Sequence, residues 1–188
     1  MKGGLSMKGL VRAAVTAAGF LLTGCLVSST PLFDASNAAA TPFAAGTYDA
    51  CSGSDADNDR ECNPMTIGVS GDGLYTLGVE DDLIMARFHD LGDGDFAIQM
   101  RESDDDEFMY YWGVLEGGGM KITLLWCSDL PRALVDKLVK DGTLEADKDY
   151  STCTAKTAGA VITAAKSYAA GEASSDSWVE IRPAASAQ

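Results

Sequence analysis

Between residues 65 and 126 the chain is cut into short apolar runs by glycine- and aspartate-rich turns. No other feature of the sequence restricts the fold as much. Candidate strands cover 65–69, 74–79, 83–88, 96–101, 108–115 and 120–126. Ser70-Gly71-Asp72-Gly73, Asp90-Leu91-Gly92-Asp93-Gly94 and Gly117-Gly118-Gly119 carry the residues that tight turns demand. Phe96, Ile98 and Met100 alternate with Ala97, Gln99 and Arg101, the period-two pattern of a strand with one buried face. Tyr75, Leu77 and Val79 share a face in the same way. Connections this short join neighbouring antiparallel strands, because a parallel pair needs a crossover of a dozen residues or more. A meander of hairpins is the expectation.

After residue 127 the pattern turns helical. Ser128 is placed to cap a helix over 129–140, with Leu130, Leu134 and Leu138 as its apolar stripe and Asp141-Gly142 as its stop. A second helix is predicted over 154–170, with Ala158, Val161, Ile162, Ala165 and Tyr168 on one side and Gly171 after it. Residues 178–182 read as a last strand, and 183–188 as a frayed tail. The predicted class is α+β: an antiparallel β-meander sheet with two C-terminal helices packed on one face and a final returning strand. One disulfide-stabilised domain over 46–188 accounts for the length.

The first residues read as an address. Lys2, Lys8 and Arg12 precede an apolar run over 13–22, and no acid occurs before Asp34. Ten apolar residues are too few to span a bilayer and suit a signal-peptide core. The run ends in Leu22-Thr23-Gly24-Cys25, which resembles the lipobox of bacterial lipoproteins. That resemblance implies cleavage of a leader over 1–24, a diacylglycerol thioether on Cys25, an acylated new N-terminus and firm membrane attachment through several chains. An ordinary secretory leader cut near Ala38-Ala39-Ala40 is the competing reading. Met7-Lys8 is a second candidate start beside Met1. Leu26 stands where an aspartate would favour retention in the inner membrane, so the resemblance points to the outer membrane, facing the periplasm. Residues 26–45, rich in Ala, Ser and Thr with Pro31 and Pro42, are expected to form a flexible tether reaching up to ~65 Å.

With Cys25 assigned to lipid, Cys51, Cys62, Cys127 and Cys153 remain. Export places them where disulfides persist, and an even number suits two bridges. Three pairings are open. Proximity in sequence favours Cys51–Cys62, closing an acidic loop, and Cys127–Cys153, tying the end of a strand to the start of a helix.

Twenty-eight acids against 14 bases give a formal charge of -14, which sets the chain against nucleic acid as a partner. Lipobox cleavage would remove three bases and no acid, leaving -17. The excess is uneven. Residues 49–116 hold 18 acids and 3 bases, whereas 117–188 hold 9 and 8. Asp55, Asp57 and Asp59 have the spacing that opens a calcium loop, but Arg60 and Thr66 occupy positions where an EF-hand needs Gly and Glu. Their two readings are a solvated acidic turn and a weak calcium site, with no other cofactor implied. Asp104, Asp105, Asp106 and Glu107 read as a solvated hairpin loop or, beside an exposed Tyr110, as a docking surface for a cationic envelope protein. Tyr48, Tyr110, Tyr111, Trp112 and Trp126 are core aromatics or the lining of a cleft. His89, the single histidine, is expected to be structural, and no G-x-S-x-G elbow or other catalytic constellation accompanies it.

The stretch 87–181 resembles small exported proteobacterial domains of unknown function. The shared elements are a strand ending in Gln99, the run Tyr110-Tyr111-Trp112-Gly113, a Lys121-containing strand leading to Cys127, and Cys153 opening a helix. The resemblance implies architecture and no activity. The expected function is a lipid-anchored, non-enzymatic interaction module of the cell envelope. The alternatives are an inhibitor of a cationic envelope-targeting enzyme such as lysozyme, and weak calcium binding.

Overall fold

A computed structural model describes residues 24–54, 57–79, 82–175 and 177–184. Residues 1–23 of the expected leader, Asp55, and residues 185–188 of the expected tail lie outside the described residues. Eleven strands occur: β1 (Leu26–Ser28), β2 (Gly46–Ser54), β3 (Asp57–Val69), β4 (Tyr75–Val79), β5 (Asp82–Gly92), β6 (Asp95–Glu102), β7 (Phe108–Glu116), β8 (Gly119–Leu124), β9 (Leu144–Ala146), β10 (Cys153–Ala155) and β11 (Ser177–Pro183). The helices are α1 (Arg132–Lys140) and α2 (Ala158–Ala169). No helix among the described residues is long and apolar enough to cross a membrane.

The fold is mostly antiparallel β with two helices, but the strands do not form an open meander sheet. They close into an eight-stranded barrel in the order β2-β3-β4-β5-β6-β7-β8-β11, with β11 hydrogen-bonded to both β8 and β2. In β11, Ile181 pairs with Met120 on one side and Ala50 on the other. Closure removes the two edges that an open sheet would leave unpaired. The inner face is filled by Met65, Ile67, Tyr75, Leu77, Phe88, Phe96, Ile98, Met120, Ile122 and Ile181 among others. Gly113 belongs to this inner packing. A Cβ there would lie 2.7 Å from Ile98 Cδ1 and 2.9 Å from Met120 Sδ, so no larger residue fits without displacing both.

A second apolar layer covers the outside of β6 and β7. Ala97, Tyr110 and Trp112 face α2, which contributes Ala160, Val161, Ala164, Ala165 and Tyr168. The alanines let the helix approach the barrel wall closely. β1 continues the sheet beside β7, pairing Val27 with Met109 and Ser28 with Phe108, and lies parallel to β10.

Residues 26–45 are therefore not a flexible tether. Leu26, Phe33, Ala38 and Phe43 are buried. The tether expectation followed from the absence of periodicity. Leu26, Phe33 and Ala38 join the outer apolar layer and Phe43 the barrel interior at irregular spacings, so no period of 2 or 3.6 could arise. Helix starts also moved. Ser128 lies in a 3-10 turn over Cys127–Asp129 and makes no cap, and α1 begins after Pro131. Cys153 opens strand β10 rather than a helix, and Thr157 caps α2 by accepting the Ala160 N–H at 3.3 Å.

Two disulfides form, Cys51–Cys62 and Cys127–Cys153. Cys51 and Cys62 face each other across the β2–β3 ladder, so the first bridge staples a hairpin rather than closing a loose acidic loop. The second links the turn after β8 to β10 across 26 residues. Replacing Cys127 and Cys153 together by serine is expected to lower stability by about 3 to 4 kcal/mol through loop entropy. The urea midpoint measures it, and an unchanged midpoint would count against a structural role for the bridge.

Candidate functional site: a groove on the outer barrel wall

Strands β5 and β6 pair Met85 with Arg101 and Arg87 with Gln99, and the intervening pair, Ala86 with Met100, is buried inside the barrel. Alternation therefore turns Met85, Arg87, Gln99 and Arg101 outward on one patch. Residues 29–34 run over this patch, and the loop between β6 and β7 borders it. Between them lies a groove of about 710 Å³, lined by Ser29, Pro31, Phe33, Asp34, Leu74, Met85, Ala86, Arg87, Gln99, Arg101, Asp106 and Phe108. Its volume falls within the range of small-molecule sites.

Gln99 builds one wall. Its Oε1 accepts the Leu32 N–H at 2.8 Å, the Phe33 N–H at 2.9 Å and the Tyr110 hydroxyl at 3.3 Å. Its Nε2 donates to the Phe33 carbonyl at 3.3 Å. The Tyr110 hydroxyl also lies 2.6 Å from Ser28 Oγ. One buried amide thus stands in for the missing neighbouring strand of residues 32–33. Phe33 stacks on His89 at 5.6 Å and meets Tyr110 edge-on at 6.0 Å. His89 Nδ1 bonds the Asn37 carbonyl. The histidine thus pins the segment that covers the wall.

Arg87 closes one end of the groove. It donates to the Asp72 carbonyl at 2.9 Å and to Asp72 Oδ2 at 2.8 Å. The Ser70 hydroxyl and then this guanidinium hold the exposed Asp72 carboxyl well below the usual carboxylate range. Arg101 differs. Its guanidinium lies 5.1 Å from the centre of the Phe108 ring, and its Nε is buried with no acceptor among the described residues.

Compared with known proteins, the chain matches no family model, no curated protein and no solved structure. The site is therefore read from its own chemistry.

The expected site residues fare differently. Asp104, Asp105, Asp106 and Glu107 are exposed in the β6–β7 loop, and Asp106 forms the rim of the groove. Tyr110 is fully buried and is no part of an exposed docking surface. Its outward-facing position on β7 lies beneath β1 and α2, where the expected tether would have left it bare. Asp55 lies outside the described residues, while Asp57 and Asp59 open β3 in the hairpin with β2 rather than a calcium-type loop. Among the described residues no group of three His, Cys, Asp or Glu side chains could hold a metal ion. Cys25 is the free cysteine. It is buried in a bridge with Trp126, and burial pushes its thiol pKa up. Trp112 is half-buried, its Nε1 donating to Asp95 Oδ1 at 2.7 Å.

Sequence reasoning passed over Arg87, Gln99 and Arg101 as site residues. One signal was present. Arg87 and Arg101 are two of the three bases among 18 acids in residues 49–116, and Arg101 alternates onto the same face of its strand as Gln99.

Burial pushes Tyr110 and Tyr111 from the ordinary 10.0 up to about 12, and raises Tyr168. Between pH 10 and 12 the folded chain keeps protons that the unfolded chain has released. Stability is therefore intact below about pH 10 and falls as pH rises towards 12. Thermal unfolding followed from pH 9 to 12, with tyrosinate absorbance as a second signal, is expected to show the melting temperature dropping through this window. A flat melting temperature with early tyrosinate formation would contradict the burial assigned to these rings.

Proposed function

We propose that the chain is a lipid-anchored, non-enzymatic binding module of the bacterial cell envelope, facing the periplasm from the outer membrane. The observation that carries the reading is the division of the cysteines. Four pair into disulfides, which suit an oxidising compartment, and Cys25 is left over where the lipobox-like leader meets the fold. Strand β1 starts at the next residue, so an acylated Cys25 would hold the barrel against the bilayer with no tether between. The thiol is buried in the unprocessed chain. Acylation therefore requires residue 25 to leave its bridge with Trp126 while Leu26–Ser28 stay in the sheet.

Metabolic labelling with radioactive palmitate is expected to mark the wild-type chain and to be lost in Cys25→Ser, which should also leave the membrane fraction. Equal labelling of both chains would sink the anchor. Inhibition of a cationic envelope-targeting enzyme such as lysozyme is the second reading. It is favoured by the exposed carboxylates of Asp104 to Glu107, which would speed encounter with a basic protein. A lysozyme activity assay with the protein added decides it, full activity at molar excess telling against it.

A further inference from the structure

We infer that the groove on the outer wall of β5 and β6 binds a small amphipathic carboxylate, with the acid on Arg101 and the apolar body along Phe108, Met85, Leu74 and Pro31. The inference rests on the reading of the chain as a binding module and names what it binds.

The charge of Arg101 is the first argument. The chain carries 28 acids against 14 bases, yet this half-buried guanidinium meets an aromatic ring and no carboxylate among the described residues. A cation partly withdrawn from water, with no carboxylate partner among the described residues, gains when an anion arrives. Arg87, one strand away, already has Asp72 and stays fixed, so it does not compete for the ligand. The apolar lining is the second argument. Phe108 lies against the guanidinium, Met85 is its cross-strand neighbour, and Leu74 and Pro31 line the same groove, which suits a molecule with one charged end. The rim is the third. Asp34 and Asp106 border the same groove, so a dianion such as a phosphate monoester would be repelled more than a singly charged carboxylate. Among the described residues, Tyr75, Phe88, Ile98 and Met120 pack together inside the barrel and leave the outer groove as the better-shaped site.

The test uses the full chain in membranes and a twelve-carbon fatty acid carrying a photoreactive diazirine, beside its methyl ester. Mass spectrometry locates the adducts. The acid is expected to label Leu74, Met85 or Phe108, and the ester at least about tenfold less, the loss of one charged hydrogen-bonded contact. Arg101→Gln should reduce labelling by the acid to the level of the ester. Equal labelling by acid and ester, adducts only elsewhere, no labelling, or full labelling of Arg101→Gln would each overturn the inference. The acid-to-ester ratio is read on the wild-type chain, so a folding defect in the variant cannot decide the matter. Running Cys25→Ser in parallel, recovered from the soluble fraction into which loss of the anchor releases it, separates the two readings. Loss of palmitate incorporation there leaves the groove's labelling unchanged, and a failed anchor does not by itself abolish the groove.

Discussion

Gln99→Ala is expected to destabilise the chain by about 3 to 5 kcal/mol, and to free the residues that cover the groove. The substitution strips the acceptor from the Leu32 and Phe33 N–H groups and from the Tyr110 hydroxyl, and removes the donor to the Phe33 carbonyl. Each buried group left without a partner costs about 1 to 3 kcal/mol. The total stays below the sum because residues 29–34 would lift and take water instead. Lifting carries Phe33 out of its contacts with His89 and Tyr110, which adds to the loss. Urea unfolding measures the stability, and amide exchange at Leu32 and Phe33 reports the lifting. Unchanged exchange at both amides would show that the glutamine does not hold this segment. Gln99→Glu is the informative companion, since it keeps both acceptor contacts to the backbone but buries a charge.

Phe88→Ala should cost about 3 to 5 kcal/mol for a different reason. The ring is wholly buried in the barrel, 5.0 Å from Tyr75, 6.0 Å from Phe43 and 6.2 Å from Phe96 between ring centres. Its removal leaves a cavity where three strands and the 40–43 segment meet. The strands of a closed barrel are tied on both sides, so the walls cannot collapse to fill it. The damage should extend to the segment that carries Phe43. The Tyr75 hydroxyl accepts the Phe43 N–H at 3.1 Å and donates to its carbonyl at 2.8 Å, so the ring that packs on Phe88 also holds that segment. A loss below about 1 kcal/mol in the urea midpoint analysis would contradict a rigid, close-packed interior.

The groove was only partly legible beforehand. The alternation in 96–101 places Gln99 and Arg101 on the face opposite Phe96, Ile98 and Met100, which is where they stand. The pattern says nothing of what lies over that face. An exposed strand face and one covered by a passing segment both tolerate polar residues, and the cover here comes from residues 29–34, some 66 positions away. The misplaced Tyr110 has the same cause. The acidic run just before it, 104–107, is exposed, but its side chain lies under a layer built from β1 and α2.

The hairpins from β3 to β8, their turns and the two apolar helices were determined locally, because period, turn residues and charge act over a few positions. Closure was not. Whether a meander stays open or becomes a barrel depends on what its edge strands meet. Here β11 arrives after two helices to join β8 to β2, a pairing of residues 177–183 with residues 48–54. The docking of 26–45 was equally beyond local rules, since Leu26, Phe33, Ala38 and Phe43 find their sites one by one. Short-range preference shaped the strands. Burial of the remaining apolar surface, which depends on the whole chain at once, decided that they form a barrel with a covered wall and a groove along it.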